Sequence, residues 1–119
     1  MKPIFKRRVP AFAAALLQAL ALTLVMTSAQ AQTDEATLGR QKAQTCAVCH
    51  GPLGVSVTPD APNLAGQPAL YTAAQLRAYR SGARKHEVMA VISKPLSDDD
   101  IRQLAAWFSS LRVDVQPPP

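Results

Sequence analysis

The sequence predicts an all-α domain in which three main helices are joined by loops. The last helix has the clearest pattern, because apolar residues recur at helical intervals along one face. These residues are Ile101, Leu104, Phe108 and Leu111. A weaker pattern of the same kind follows Pro68. The alternation of apolar and polar residues that is typical of strands is not found after residue 31.

Residues 1–31 have the features of a secretory signal peptide. Four basic side chains in the first eight residues precede the uncharged apolar run 11–26, and Ala29-Gln30-Ala31 is a small-residue cleavage motif. The apolar run is shorter than the roughly 20 residues that a membrane-spanning helix needs, so cleavage is favoured over a retained anchor. We therefore expect a periplasmic domain of residues 32–112, followed by a proline-rich tail at 113–119.

The net charge bears on whether a nucleic-acid or membrane-surface partner is to be expected. The whole chain has a formal net charge of +5, but four of its 13 basic residues and none of its eight acidic residues lie within 1–31. The remaining nine basic and eight acidic residues leave a net charge of +1. Because this value is close to zero, the charge no longer suggests a nucleic-acid or membrane-surface partner, and we expect no nucleic-acid binding. We also expect no stable membrane insertion once the signal peptide has been cleaved.

The first helix is predicted to begin at Asp34 and Glu35, whose carboxylates favour the positive end of a helix dipole. It continues through Lys42 and Ala43. Gly39 lies mid-helix, where glycine costs up to about 1 kcal/mol relative to alanine. Such a glycine is typical of a position that another helix crosses closely, and we expect the last helix to cross there.

The loop and the two later helices have recognisable boundaries. Residues 51–68 contain four prolines and three glycines and fit no helical period, so they predict a loop. The second helix is predicted to begin at Pro68 and to end at Gly82. Ser97 is the predicted N-cap of the last helix, with Asp100 three residues later as in a capping box.

The stretch Cys46-Ala47-Val48-Cys49-His50 has the Cys-x-x-Cys-His spacing of covalent haem attachment. Two thiols three residues apart lie on one helical face, so both can form thioether bonds at one porphyrin edge. His50 can then supply an axial ligand to the iron. A redox dithiol is less favoured because no βαβ pattern surrounds the motif, and a zinc site lacks ligands beyond the one other histidine, His86.

A haem would also complete the core of a small domain. The 88 residues that follow residue 31 of this 119-residue chain contain only four aromatic side chains. Domains of this size are often marginally stable without a disulfide or a metal, and no disulfide is available if both cysteines bind haem. We therefore expect a buried porphyrin to stand at the centre of the core and the apo form to fold poorly.

The second axial ligand has more than one candidate. Met89 is the only methionine after residue 31 and lies between Gly82 and Ser97, in a segment for which no regular element is predicted. Its thioether would raise the reduction potential of the iron, whereas His86 would give two imidazole ligands and a lower potential. An iron without either ligand would be open to peroxide or ligand chemistry. Met89 as an ordinary core residue is a further alternative.

Taken together, the chain resembles the class I c-type cytochromes over nearly all of residues 33–112. Four blocks carry the resemblance: Gly39 with the motif 46–51, the loop 62–67, Met89 seven residues before Leu96, and the helical stretch 104–108. The chain is similar to small periplasmic members and to one half of the dihaem members. The resemblance implies a compact cytochrome c fold wrapped around one covalently bound haem c.

The resemblance also implies a role for particular residues. Cys46 and Cys49 would bind the haem through thioethers, and His50 and Met89 would be the axial ligands of the iron. The backbone carbonyl of Pro62 would accept the Nδ1 proton of His50 and so orient the imidazole.

The expected function is that of a periplasmic single-haem carrier of one electron, not of an enzyme. The redox partners expected for such a carrier are a dehydrogenase, an oxidase or other cytochromes. A monomer is expected. Two alternatives remain: the electron-accepting cytochrome subunit of a periplasmic dehydrogenase, and a haem enzyme with an open iron. Basic residues that flank Met89 form a candidate docking surface, with an ordinary solvated face as the alternative. These residues are Arg77, Arg80, Arg84, Lys85 and Lys94.

Overall fold

Five helices and no strand are found within residues 34–118, the residues that the computed structural model of the protein describes. The helices are α1 (34–42), α2 (Ala47–His50), α3 (Ala69–Ser81), α4 (Glu87–Ser93) and α5 (Asp98–Ser110). The predicted all-α class is confirmed, with α1, α3 and α5 as the three main helices. The predicted signal peptide at 1–31 lies outside the described residues.

Helix α5 begins with the predicted capping box. The hydroxyl of Ser97 accepts a hydrogen bond from the Asp100 backbone N–H at 3.1 Å, and the Asp100 carboxylate accepts one from the Ser97 N–H at 2.8 Å. These bonds satisfy two backbone donors that the first turn of a helix leaves unpaired, and such a cap contributes about 1 kcal/mol. The start of α5 is therefore fixed by its local sequence.

The apolar stripe of α5 forms the centre of the core. Ile101, Leu104 and Phe108 are 0%, 2% and 3% exposed, respectively. They pack with two alanines: Ala73 of α3, and Ala43, which directly follows α1. Large residues on α5 thus fill the space that alanines leave on their neighbours, and three of the four predicted stripe positions are fully buried.

The predicted close crossing of α1 and α5 is confirmed at Gly39. A Cβ atom added at this glycine would lie 1.9 Å from the backbone oxygen of Gln103 and 2.8 Å from the Cβ of Trp107. Neither contact is sterically possible, so only glycine allows the two backbones to approach this closely. The guanidinium of Arg40 lies over the Trp107 ring, 5.7 Å from its centroid, on the border of the same crossing.

Ion pairs also join α1 to α5. Lys42 pairs with Asp100, and Arg102 binds both carboxylate oxygens of Glu35 at 3.0 and 3.2 Å. The hydrogen bonds from Lys42 and Ser97 hold the pKa of the Asp100 carboxyl well below its ordinary value. Because Lys42 and Asp100 are partly solvated, their pair contributes at most about 1 kcal/mol.

Helix α3 ends at Gly82, as predicted, which has the left-handed φ of +82°. Pro68 is the N-cap residue with φ −55° and ψ 132°, and the helix begins at Ala69, in agreement with a predicted start near Pro68. Arg80 of α3 donates to the Leu96 carbonyl at 2.8 Å and to the Asp98 carboxylate at 2.6 Å. These bonds tie the end of α3 to the start of α5.

The expectation of an irregular segment around Met89 is wrong, because α4 occupies residues Glu87–Ser93. This helix packs against α3. Its last residue, Ser93, is fully buried. Within the described part of the chain, no helix is long and apolar enough to cross a membrane.

Candidate haem site

The Cys-x-x-Cys-His motif forms a single helical turn after α1. Residues 43–46 make turns, Cys46 is the N-cap of α2, and His50 is its last residue. The His50 backbone N–H bonds to the Cys46 carbonyl at 2.9 Å. Cys46 and Cys49 are free thiols, both partly buried. The two sulfur-bearing residues and the imidazole therefore come from one short, hydrogen-bonded stretch of backbone.

Burial raises the pKa of the Cys46 thiol. Since a free cysteine titrates at about 8.5, Cys46 is a neutral thiol at neutral pH.

His50 is buried and its ring orientation is fixed by one hydrogen bond. Only 7% of its surface is exposed, and its Nδ1 lies 2.8 Å from the backbone oxygen of Pro62. A carbonyl can only accept, so Nδ1 must carry the proton of this bond. The neutral imidazole then presents an unprotonated Nε2, which is the form that binds a metal.

Two glycines give the loop after α2 the shape that brings Pro62 to His50. Gly51 has φ +76°, and a Cβ at this position would lie 1.9 Å from the Val55 backbone oxygen. Gly54 has φ +70°, and its carbonyl accepts hydrogen bonds from the N–H groups of Leu64 at 2.7 Å and Ala65 at 3.0 Å. The loop therefore folds back on itself, and Pro62 lies just before the two residues that close it.

Polar contacts within the loop, and backbone contacts to α5, hold it in this shape. The Asn63 side chain accepts a hydrogen bond from the Ser56 N–H at 2.7 Å, and the Gly66 N–H donates to the Phe108 carbonyl at 2.9 Å. A Cβ at Gly54 would lie 3.0 Å from the Phe108 ring. The loop is thus packed tightly on the core helix.

Sequence reasoning did not identify Ser56 and Asn63 as part of the site. The only local signal is that Asn63 follows Pro62, since asparagine side chains often bond to nearby backbone in loops. The partner of Asn63, seven residues earlier, is determined by the path of the loop.

Met89 lies in the first turn of α4 and is partly buried. Its backbone N–H donates a hydrogen bond to Nδ1 of His86 at 3.3 Å. His86 is exposed and is the N-cap residue of the helix. The two candidates for the second axial ligand are therefore joined by a hydrogen bond from the Met89 backbone to the His86 ring. His86 lies at the start of the helix and Met89 within it.

The predicted basic docking surface is partly paired within the chain. Arg77 and Arg80 both form ion pairs with Asp98, at 3.8 and 2.6 Å. Arg84 lies over the Tyr79 ring, 4.6 Å from its centroid. Within residues 34–118, the remaining two residues of that surface, Lys85 and Lys94, are exposed and have no ion-pair partner.

The donor set fits a covalently attached haem. It contains two cysteine thiols on one helical turn and a buried imidazole whose Nδ1 donates to the Pro62 carbonyl. Three of the six buried hydrophobic residues in the described chain are alanines, so few large apolar side chains are buried. A large apolar group such as a porphyrin would add the burial that so small a core lacks.

Comparisons with known proteins agree with this chemistry. The sequence profile of the family described as Cytochrome c matches residues 36–112. Cytochrome c-554(548) of Halomonas halodenitrificans is 42% identical over 79 residues, which cover 64% of this chain and 95% of that protein. The thiosulfate dehydrogenase electron acceptor of Stutzerimonas stutzeri is 42% identical over 69 residues, 56% of this chain and 32% of that protein.

A solved structure shows the same fold. The reduced recombinant cytochrome c4 of Pseudomonas stutzeri superposes with a TM-score of 0.63 at 37% identity. The match covers 67% of this chain and 47% of the cytochrome c4 chain. The chain therefore spans about half the length of this relative and nearly the whole of the Halomonas protein.

Proposed function

The chain belongs to the cytochrome c family, and on this premise we propose that it is a periplasmic single-haem carrier of one electron whose iron lies between His50 and Met89. The predicted resemblance to c-type cytochromes and the covalent haem c that it implies are confirmed by the family match. The axial ligands, the location and the free-carrier role are the proposed part.

The hydrogen bond between His50 and Pro62 is the observation that carries the proposal. It places a proton on Nδ1 of a buried imidazole, so that in the neutral ring Nε2 is the nitrogen that can bind a metal. His50 directly follows Cys49, which lies three residues after Cys46. Cys46 and Cys49 would hold the haem through thioethers, and the carbonyl of Pro62 would keep the His50 ring in one orientation. When bound, the haem supplies a one-electron change between ferrous and ferric iron.

Met89 would supply the second axial ligand through its sulfur. A thioether is neutral and soft, so it stabilises ferrous iron more than a second imidazole does and raises the reduction potential. The low-dielectric surroundings of a buried site act in the same direction, since they disfavour the additional positive charge of the ferric state. With both of these residues bound, the iron would have no vacant position for water, as suits a carrier that performs no ligand chemistry.

The location follows from the predicted signal peptide. Covalent haem attachment outside the cytoplasm requires export, and residues 1–31 have the composition of a cleaved export signal. Purified mature protein should therefore have the mass of residues 32–119 plus one haem.

An absorption spectrum tests the ligand assignment. The protein is expressed together with periplasmic haem-attachment machinery, and its ferric form should show the weak red band of methionine–iron ligation. The Met89→Ala variant should lose this band yet remain red after denaturation, because the thioethers hold the haem. His86→Ala is the matched control and should retain the band.

Either of two results would contradict the proposal. A wild-type protein without the band at neutral pH would exclude the methionine ligand and favour an open iron. Colourless mature protein from a host that can attach haem would exclude the cofactor altogether.

A second candidate function is supported by the Stutzerimonas relative, whose name describes it as the electron acceptor of thiosulfate dehydrogenase. By analogy, this chain would accept electrons from a periplasmic dehydrogenase and remain bound to it. Co-purification distinguishes the two functions: a stable complex with a catalytic subunit supports the acceptor subunit, whereas recovery of the cytochrome alone supports the free carrier.

A further inference from the structure

Helix α4 is too short to hold Met89 in place by itself. It has seven residues, and three of them, Val88, Val91 and Ile92, are β-branched. Isolated helices shorter than about 12 residues are marginal in water, and β-branched side chains lower helix propensity further. The position of Met89 must therefore depend on contacts that fix the first turn of α4.

His86 makes two such contacts from the N-cap position. Its backbone is extended, with φ −167° and ψ 124°, and its carbonyl accepts the first hydrogen bond of the helix, from the Ala90 N–H at 2.9 Å. Its side-chain Nδ1 accepts the Met89 N–H at 3.3 Å. The imidazole thus takes the place of the serine, threonine or aspartate oxygen that usually caps a helix.

The His86 ring is in turn positioned by α3. It meets the Tyr79 ring nearly edge to face, with centroids 6.2 Å apart and an interplanar angle of 77°. Arg84 lies over the Tyr79 ring and donates to the Gln75 side chain at 2.6 Å. Aromatic pairs of this geometry are attractive, so the ring is held against a longer and more stable helix.

The capping bond also determines which nitrogen of His86 carries the proton. Nδ1 can accept from Met89 only when it is unprotonated, so in the neutral ring the proton is on Nε2. Neither nitrogen is then free to bind a metal while the cap is formed. The same ring cannot at once cap α4 and ligate iron.

We infer that His86 is a positioning residue for Met89, not a rival ligand: its Nδ1 caps α4 and fixes the backbone of residue 89, so that the thioether stays on the iron. This inference rests on the proposed ligation by Met89. It assigns a role to the His86 side chain that the sequence interpretation treated as an alternative ligand.

The inference is tested by the ease with which Met89 leaves the iron. Free imidazole added to the ferric holoprotein displaces the methionine, and the loss of the weak red band measures the equilibrium. His86→Ala should bind imidazole about fivefold more tightly than wild type, the effect of a lost N-cap on the opening equilibrium. His86→Asn, which restores a capping oxygen, should return to within about twofold of wild type. Arg112→Ala, which changes an exposed side chain beyond the end of α5, is the control.

Each outcome is decisive. The capping role would be refuted if His86→Ala bound imidazole as wild type does, or if His86→Ala and His86→Asn bound it equally. The carrier proposal would still stand in either case, provided that the ferric forms of wild type and of both His86 variants show the weak red band. A wild-type protein without the band, whose spectrum is unchanged in Met89→Ala but altered in His86→Ala, would make His86 the ligand. A wild-type protein without the band would refute both proposals.

Discussion

The two sides of the proposed haem site differ in the burial of the ligand residue and in the contacts that hold it in place. On one side, His50 is buried, bonded to Pro62 and backed by a loop whose glycines and amides are packed on α5. On the other side, Met89 lies in a seven-residue helix that begins at an exposed histidine and packs against α3. The difference indicates that the His50 side is rigid and that any opening of the site begins at Met89.

The largest expected effect comes from removing each ligand in turn. His50→Ala removes the buried imidazole and leaves the Pro62 carbonyl without its donor, so we expect almost no stable holoprotein. Met89→Ala should accumulate as covalent holoprotein with a lower reduction potential, because the roughly 0.8 V range of haem potentials is set largely by axial ligands. Haem content per protein and redox titration measure the two effects. Equal yields of holoprotein from the two variants would contradict the view that the His50 side contributes more to the stability of the site than the Met89 side.

Glycine substitutions compare the two sides without changing a ligand. Gly51→Ala places a Cβ against the Val55 oxygen at a positive φ, and we expect it to lower the free energy of unfolding by about 3 kcal/mol or more. Gly82→Ala has a positive φ but no atom within 4 Å of the new Cβ, so the expected loss is only about 1 kcal/mol. Denaturant unfolding of the ferric holoprotein measures both. A loss at Gly82 as large as that at Gly51 would show that the α2 loop is not the tighter region.

Asp100 connects α5 to α1 and so supports the His50 side. Its pKa is lowered in the folded state, so its stabilising contribution is present above its unfolded pKa of about 3.9 and is lost as the pH falls below that value. Asp100→Asn should therefore lower the free energy of unfolding by about 1 kcal/mol at pH 7, and the difference from wild type should narrow below about pH 4.

The exposed Asp60 provides the control for that experiment, since Asp60→Asn should leave the free energy of unfolding nearly unchanged. The weak red band should be the same in both variants, because Met89 lies on the other side of the site. A difference between Asp100→Asn and wild type that stays constant from pH 7 to pH 3 would exclude the electrostatic explanation.

The smallest expected effect concerns the surface near Met89. Replacing Lys85 and Lys94 by glutamine should slow electron exchange with an acidic partner about two- to threefold at low ionic strength, and the difference should vanish at high salt. Arg112→Gln, a charge change beyond the end of α5, is the control. Rates that do not depend on salt would make these lysines an ordinary solvated surface.

Much of the His50 side could be predicted because its determinants are local. Ser97 and Asp100 form a capping box that predicts the start of α5, and the glycine at position 39 within α1 predicts a close helix crossing. The bond between His50 and Pro62 was predicted from the resemblance to c-type cytochromes, and the structure shows it at 2.8 Å. The side-chain bond of Asn63 was not predictable, since its partner depends on the path of the loop.

The Met89 side was harder to predict for two physical reasons. Histidine is an unusual N-cap, and the β-branched run after Glu87 has no clear helical stripe, so α4 gives no signal in the sequence. The pairing of Arg77 and Arg80 with Asp98 joins residues about 20 apart, and only the packing of α3 on α5 brings them together. The position of α4 depends on its packing against α3, and the pairing of the two arginines depends on the packing of α3 against α5.

The touching backbones at Gly39 and Gln103 have a consequence for the order of assembly. Sixty-four positions of chain separate these two residues, so the α1–α5 contact cannot form until α5 has been synthesised. Cys46 and Cys49 follow shortly after α1 and precede the rest of the domain in the chain. We therefore expect their thiols to be more accessible before the crossing forms than after it.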